Sequence, residues 1–233
     1  MKLVNIQEEK DLIDFYHLNT SNYYDQLISE KGYHYSDDNK INLASHPNDI
    51  INNLIFEDIL PNLTSKRDMS LNNPLDKNLL LNLLYNCYRF ENGKCLKSPS
   101  AGGLYPIELF IIIKNVSHVK KGVYHYNREK ISLNFINEFS DIHELNVPNN
   151  NFTRNVACMI FLVCNIDNLM GKYGARAYRY CLIECGHVGQ NISIVSNNLG
   201  IKSCAIGGFY DSKVRNHLNL SDNFYPLYSY VLG

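Results

Sequence analysis

The spacing of apolar positions changes several times along the chain, and each change marks an element. Cys181, Cys185, Val188, Ile192, Val195 and Leu199 recur at steps of four, three, four, three and four, which puts one continuous apolar stripe on a long helix. Leu199-Gly200 reads as its stop, and a polar, tyrosine-rich and basic turn precedes it. Upstream, Asn73-Pro74 offers an N-cap and a first-turn proline ahead of Leu79, Leu80, Leu83, Leu84 and Cys87 at helical spacing, so a second core helix is expected there. Residues 108–114 form a short β-branched run, the pattern of a buried strand. Residues 122–126 and 130–135 flank a polar tetrad beginning at Asn127, which predicts a hairpin. Residues 156–164 are the most apolar run and should be a central strand, with further strands at 202–206 and 224–232 and a short helix at 212–218. Hairpins mixed with helical crossovers predict an α+β domain built on a mixed sheet. Residues 1–55 pattern weakly and read as an arm that packs on a domain spanning 56–233.

Composition narrows the function classes. With 22 basic and 23 acidic residues among 233, the net charge of -1 gives no reason to expect nucleic acid or an anionic membrane surface as partner. No run approaches the length of a membrane span and no secretory h-region opens the chain, so a cytoplasmic protein acting on a small molecule or peptide is expected. The seven cysteines lie mostly in apolar runs without paired C-x-x-C spacing, which reads as reduced, buried thiols and gives no zinc set.

Three stretches carry candidate chemistry. Ser98-Pro99-Ser100-Ala101-Gly102-Gly103 offers hydroxyls and a glycine pair that lets backbone N–H groups approach a flat or anionic ligand, although a plain surface turn has the same composition. Its spacing is not that of a nucleotide P-loop. Ser65-Lys66-Arg67 could hold a phosphate through charge-assisted bonds, or simply be solvated. Lys172 and Tyr173 stand beside Arg176 and Arg179 at the start of the long helix, where neighbouring cations favour a deprotonated phenol or amine that takes a proton; a solvated first turn is the plain alternative. Gly186 and Gly189, costly inside a helix, suggest close approach of a ligand or of another helix such as a dimer partner's.

Four blocks, S-P-S-A-G-G-L-Y-P-I-E-L (98–109), G-V-Y-H-Y-N (122–127), K-Y-G-A-R-A-Y-R-Y-C-L-I-E-C-G-H-V-G-Q-N (172–191) and L-G-I-K-S-C-A-I-G-G-F (199–209), together resemble the SagB/ThcOx branch of the nitroreductase superfamily. These are FMN-dependent dehydrogenases that oxidise thiazoline and oxazoline rings to thiazoles and oxazoles in peptide natural products. The resemblance runs from about residue 60 to the end. It implies a nitroreductase-like three-layer α+β fold on a mixed, mainly antiparallel sheet, and a homodimer with the long helix at its interface and FMN between the subunits. The substrate would be a peptide or a carrier-bound azoline, with a cyclodehydratase complex as further partner.

Position by position, the resemblance assigns Ser65 and Arg67 to the second half of an R-x-S-x-R flavin-phosphate motif, with Leu63 where the first Arg would stand. It lays Pro99, Ser100, Ala101, Gly102 and Gly103 along the isoalloxazine, and puts Gln190 and Asn191 near the flavin. Ala205, Ile206, Gly207 and Gly208 form the backbone edge beside the ring, and Lys172 with Tyr173 is the catalytic pair. Family chains commonly run on into a tail that crosses to the partner, whereas this sequence stops at Gly233, which leaves Arg67, Lys202 or Arg215 as sources of phosphate contacts. Reduction of a dehydroamino acid, nitro or enone compound by flavin reduced with NAD(P)H is an alternative on the same fold, and a flavin-free scaffold subunit of a peptide-modifying complex is another.

Overall fold

The computed structural model describes residues 15–16, 40–42, 60–91, 94–95, 97–139, 141–146 and 151–233. Most of the expected arm over 1–55 therefore lies outside the described residues. Helix α1 spans Lys77–Cys87 and buries Leu80, Leu81, Leu83, Leu84 and Cys87. Its cap differs from the one expected at Asn73-Pro74: the Asp76 carboxylate accepts from the backbone N–H groups of Asn78 and Leu79. Leu75 is instead held extended in a bridge to Val116, so the helix cannot begin before that contact ends.

The strands are β1 (Lys40–Asn42), β2 (Phe90–Glu91), β3 (Lys94–Cys95), β4 (Ile107–Ile113), β5 (Gly122–Asn127), β6 (Ser132–Asn137), β7 (Cys158–Asn165), β8 (Ser203–Ile206) and β9 (Phe224–Leu232). Seven of them form one sheet in the order β1-β6-β5-β4-β7-β9-β8, and β2 pairs only with β3. Every pairing in the sheet is antiparallel, where a mixed, mainly antiparallel sheet was expected. The reason is topological: β9 returns between β7 and β8, so the long helical crossover from β7 never delivers a strand parallel to its neighbour.

Both faces of the sheet are covered, which explains the unbroken apolar runs of β4 and β7. On one face Ile107, Leu109, Ile111, Ile160 and Leu162 pack against α1 and against helix α3 (Arg176–Asn198). On the other face Phe110, Ile112, Met159, Phe161 and Val163 pack with Val214 and Leu218 at helix α4 (Asp211–His217). The result is a three-layer α+β fold. A short helix α2 (Asp167–Tyr173) precedes α3, and Gly174, at a positive φ of 54°, breaks the two apart.

Helix α3 buries the expected stripe of Cys181, Cys185, Val188, Ile192 and Val195, and adds Glu184, Gly189 and Ser196 to the same face. Gly189 is explained within the chain: a Cβ there would stand 2.9 Å from the Tyr228 ring and 3.1 Å from the Tyr230 ring, so β9 requires the missing side chain. Cys164 on β7 and Cys181 on α3 are joined as a disulfide, which corrects the expectation that the thiols are all reduced. Their sequence separation of 17 signals nothing, yet sheet–helix packing brings the two Cα atoms to 6.1 Å. Cys87, Cys158, Cys185 and Cys204 are buried outside that disulfide. Among the described residues no helix is long and apolar enough to cross a membrane, and no group of three or more His, Cys, Asp or Glu is placed to hold a metal ion.

Candidate active site

A cavity of about 330 Å³ lies where the segment 63–66, the C-terminal half of α3 and the edge strand β8 meet. The segment is tied to the strand by the Lys66 N–H, which donates to the Ser203 carbonyl at 2.8 Å. Ser65, Gln190 and Ala205, three of the residues expected at the flavin, line it together with Lys66 and Lys202. Leu63, the residue in place of the expected first arginine, is also part of the wall. Arg67 is not: its exposed guanidinium sits 5.9 Å over the Phe152 ring, leaving Lys66 to supply the cation in that segment. Lys202 donates to the Asp68 carboxylate and carbonyl, both at 2.7 Å, which offsets part of its charge. The hydrogen bond from Lys202 in turn holds the Asp68 carboxyl below its ordinary range. Arg215 is engaged elsewhere, donating to the Phe224 and Ser221 carbonyls and to Asp222.

The glycine loop runs from Asn191 on α3 toward the start of the helix. Three contacts define its path. The Asn191 amide donates to the carbonyls of Lys97 (2.8 Å) and Cys87 (3.2 Å), which anchors the beginning of the loop. Further along, the Ser100 hydroxyl interacts with the Glu184 carboxyl, seven residues and so about 10 Å nearer the helix N-terminus. At the far end Gly102, with φ of 62°, lies beneath the catalytic candidates: a Cβ there would stand 2.6 Å from Tyr173 Oη and 2.7 Å from Lys172 Nζ. Lys172 Nζ is also 5.4 Å from the centroid of the Tyr173 ring, whose edge packs on Tyr180. The loop thus ends against the Lys172–Tyr173 pair.

Comparison with known proteins places this arrangement. The model of the Nitroreductase family matches residues 65–233. The chain belongs to the nitroreductase family. It is 30% identical over 186 residues, 78% of its length, to the nitroreductase-type protein MJ1384 of Methanocaldococcus jannaschii, of which the match covers 92%. It is 31% identical over 137 residues to the microcin B17-processing protein McbC of Escherichia coli, covering 52% of this chain and 47% of McbC. Among solved structures, a nitroreductase-type protein of Anabaena variabilis superimposes with a TM-score of 0.74 at 25% identity over 95% of this chain, which spans 47% of that one. A chain of the E. coli microcin synthetase McbBCD complex with truncated pro-MccB17 bound superimposes with a TM-score of 0.65 over all of this chain and 83% of that one; at 20% identity this is a likeness of fold.

Within this nitroreductase-family framework the remaining predicted residues divide. Gly103 and Gly207 face open space, and Pro99 is exposed, so this part of the loop and the turn after β8 leave backbone accessible. Gly208 is half-buried just beyond. Ala101 is half-buried in the loop. Ile206 turns its side chain into the opposite core layer, and its carbonyl accepts from the Ser229 hydroxyl at 2.8 Å. Asn191 spends its amide on the protein backbone, and Ser100 accepts the Tyr105 N–H at 2.8 Å.

Lys66, read with Ser65 and Arg67 as a possible phosphate holder, lines the cavity, whereas Glu184 is a site-shaping residue that sequence reasoning passed over. Glu184 is 2% exposed, and its Oε1 accepts from the Tyr88 hydroxyl at 3.1 Å. Its Oε2 is buried without a well-aligned partner, although Ser100 lies beside the carboxyl. Burial pushes this carboxyl up to about 7 against the opposing pull of Ser100, Tyr88 and Arg128. Arg128 continues the polar chain: it donates to Tyr88 Oη at 3.3 Å, to the carbonyls of Ile107 and Tyr105, and pairs with Glu108 at 3.3 Å. Glu108 also meets His125 at 2.9 Å, and although burial opposes its ionisation, Arg128 and His125 together hold the carboxyl below its ordinary range. The only sequence signal for this network was polar character at positions whose period called for core.

Proposed function

We propose that this protein is an FMN-dependent dehydrogenase that oxidises thiazoline or oxazoline rings to thiazoles or oxazoles in a peptide natural product. The observation that carries the reading is the convergence of Tyr173 Oη and Lys172 Nζ on Gly102. One acid–base pair is thereby packed against the backbone of the glycine loop. Family membership supports an oxidoreductase. The similarity to the microcin B17-processing protein McbC favours a peptide substrate and a synthetase complex as partner.

The residues suit FMN on three counts. The cavity offers Lys66, Lys202 and Ser65 to a phosphate and Gln190 to a polyol or ring edge. The Gly102 surface tolerates no Cβ, and Gly103 and Gly207 leave backbone open for a planar group. When bound, FMN supplies the two-electron acceptor for aromatisation. The chain's own task is the proton. Tyr173 Oη, with Lys172 Nζ beside it, is placed to take the α-proton of the azoline ring. Tyr180 packs edge-on against Tyr173 at 4.9 Å and restricts its ring.

The dimer and the domain division belong to the same reading. Leu182 and Ile183, 42% and 50% exposed on the outer side of α3, are the apolar surface for a second copy. Residues 1–55 are an arm on the domain formed by 56–233.

The test is direct. Purified protein should be yellow or take up FMN, and an azoline peptide should bleach it anaerobically. Lys172→Ala and Tyr173→Phe should keep the flavin and lose about a hundredfold or more in turnover. Colourless protein that rejects FMN, or full turnover in both variants, overturns the proposal.

A further inference from the structure

We infer that Arg128 is a positioning residue: from the β5–β6 turn it grips the carbonyls of Tyr105 and Ile107, and so fixes the glycine loop in the conformation that sets Gly102 against Lys172 and Tyr173. Its functional meaning rests on the proposed FMN site, but the grip is a property of the chain with or without flavin.

The loop meets the Lys172–Tyr173 pair in a turn closed on itself. The Gly103 N–H donates to the Ser100 carbonyl at 3.1 Å, the Leu104 N–H to the Ala101 carbonyl at 3.3 Å and the Tyr105 N–H to the Ser100 hydroxyl at 2.8 Å. At the end of this turn Tyr105 stands at φ 47°, in the left-handed region that a tyrosine seldom enters. Its own preference does not hold it there, so its surroundings must. Ser100 takes its N–H, its ring packs edge-on against Phe90 at 4.8 Å, and its carbonyl accepts from Arg128 Nη2 at 3.0 Å.

Arg128 is itself held in place from several sides. The Asn127 side-chain oxygen accepts from the N–H groups of Glu129 (3.1 Å) and Lys130 (2.9 Å), which shapes the tip of the hairpin around Arg128. The guanidinium carbon lies 4.1 Å from the centroid of the Phe90 ring, and the Phe90 N–H donates to the Arg128 carbonyl at 3.3 Å. Nη1 donates to the Ile107 carbonyl and to Tyr88 Oη at 3.3 Å, while Nη2 serves the Tyr105 carbonyl and stands 3.3 Å from Glu108 Oε1. Glu108, which also meets His125 at 2.9 Å, compensates the positive charge. Two carbonyls two residues apart are thus held by the two arms of one planar fork. A lysine carries the same charge on a single rotating head and cannot reproduce that fork. Arg128 acts on the site through Tyr105 and the closed turn.

Hydrogen–deuterium exchange of residues 98–105 in the flavin-free full chain reads the grip directly. Arg128→Lys keeps the charge beside Glu108 and loses the fork, so exchange in 98–105 should rise about tenfold while exchange in β9 stays within about twofold of wild type. General destabilisation would move both segments alike. Asn127→Ala leaves Arg128 in place and alters the turn that aims it; it should speed exchange in 98–105 by about threefold. Glycine adopts a φ of 47° without strain, so in a Tyr105→Gly background Arg128→Lys should raise exchange by no more than about threefold. Arg128→Lys should bind FMN about tenfold more weakly, and at saturating FMN its kcat should fall about tenfold with KM for an azoline peptide within about twofold. Wild-type exchange in 98–105 of Arg128→Lys, a rise shared equally by β9, the same tenfold rise in the Tyr105→Gly background, or full kcat in flavin-saturated Arg128→Lys would each overturn the inference. Should the wild-type chain reject FMN, the functional proposal fails while the exchange measurements still decide the grip.

Discussion

At the scale of single residues, the site depends on groups whose chemistry is set by what surrounds them. Glu184 is the clearest case, because burial favours its neutral form. Its carboxyl sits at about 7 in the fold against 4.5 for the ordinary value, so the folded chain holds a proton that the unfolded chain releases. The stability this contributes is complete below about pH 4.5 and is lost as pH rises through about 7. Glu184→Gln carries a permanently neutral amide. Its stability relative to wild type should therefore improve by up to about 3 kcal/mol between about pH 5 and pH 8, read from urea midpoints. Gly102 makes a second prediction. Gly102→Ala forces a side chain into a positive-φ backbone and against Tyr173 and Lys172. It should cost about 1–3 kcal/mol in stability and lower turnover about tenfold or more while the chain stays folded.

At the scale of elements, boundaries follow tertiary contacts as much as local signals. The start of α1 was legible as a cap-plus-proline pattern, but the bridge of Leu75 to Val116 moves it to Asp76. Asp76→Ala should consequently cost about 1 kcal/mol in thermal or urea melts, whereas Asn73→Ala should cost much less. The stripe on α3 was read correctly because a helix repeats its buried face every three or four residues whatever it packs on. Gly189 could be seen as a close approach, yet the sequence suggested a ligand or second helix; Tyr228 of the same chain fills that place. Of the predicted site residues, Ser65, Gln190 and Ala205 share one cavity, and Gly102 meets Lys172 and Tyr173. Arg67 lies over the Phe152 ring and does not line the cavity, so Lys66 is the cation that the segment brings there.

At the scale of the whole molecule, the glycine loop runs from Asn191 on α3 to the acid–base pair beside Gly102, while the cationic cavity is lined by other residues at the C-terminal half of the same helix. On the outer side of α3, Leu182 and Ile183 are exposed among the described residues. Light scattering should give a dimer for the wild type and a monomer for Leu182→Asp combined with Ile183→Asp; a monomeric wild type would remove the dimer from the proposal. A second cavity of about 370 Å³ lies beside Phe110, His125 and Phe224, and none of the predicted site residues lines it.

Periodicity, turn residues and four motif blocks determined by themselves the α+β class, the main strands and helices, and the family. These are local properties: a period of three and a half or two residues, a glycine pair or a cap is complete within a few positions of chain. Tertiary structure alone decided the partners. It inserted β9 between β7 and β8, joined Cys164 to Cys181, turned Lys66 rather than Arg67 into the cavity, and buried Glu184 against Tyr88 and Ser100. Each of those outcomes depends on which distant surface arrives opposite a residue, and no spacing within one segment encodes that.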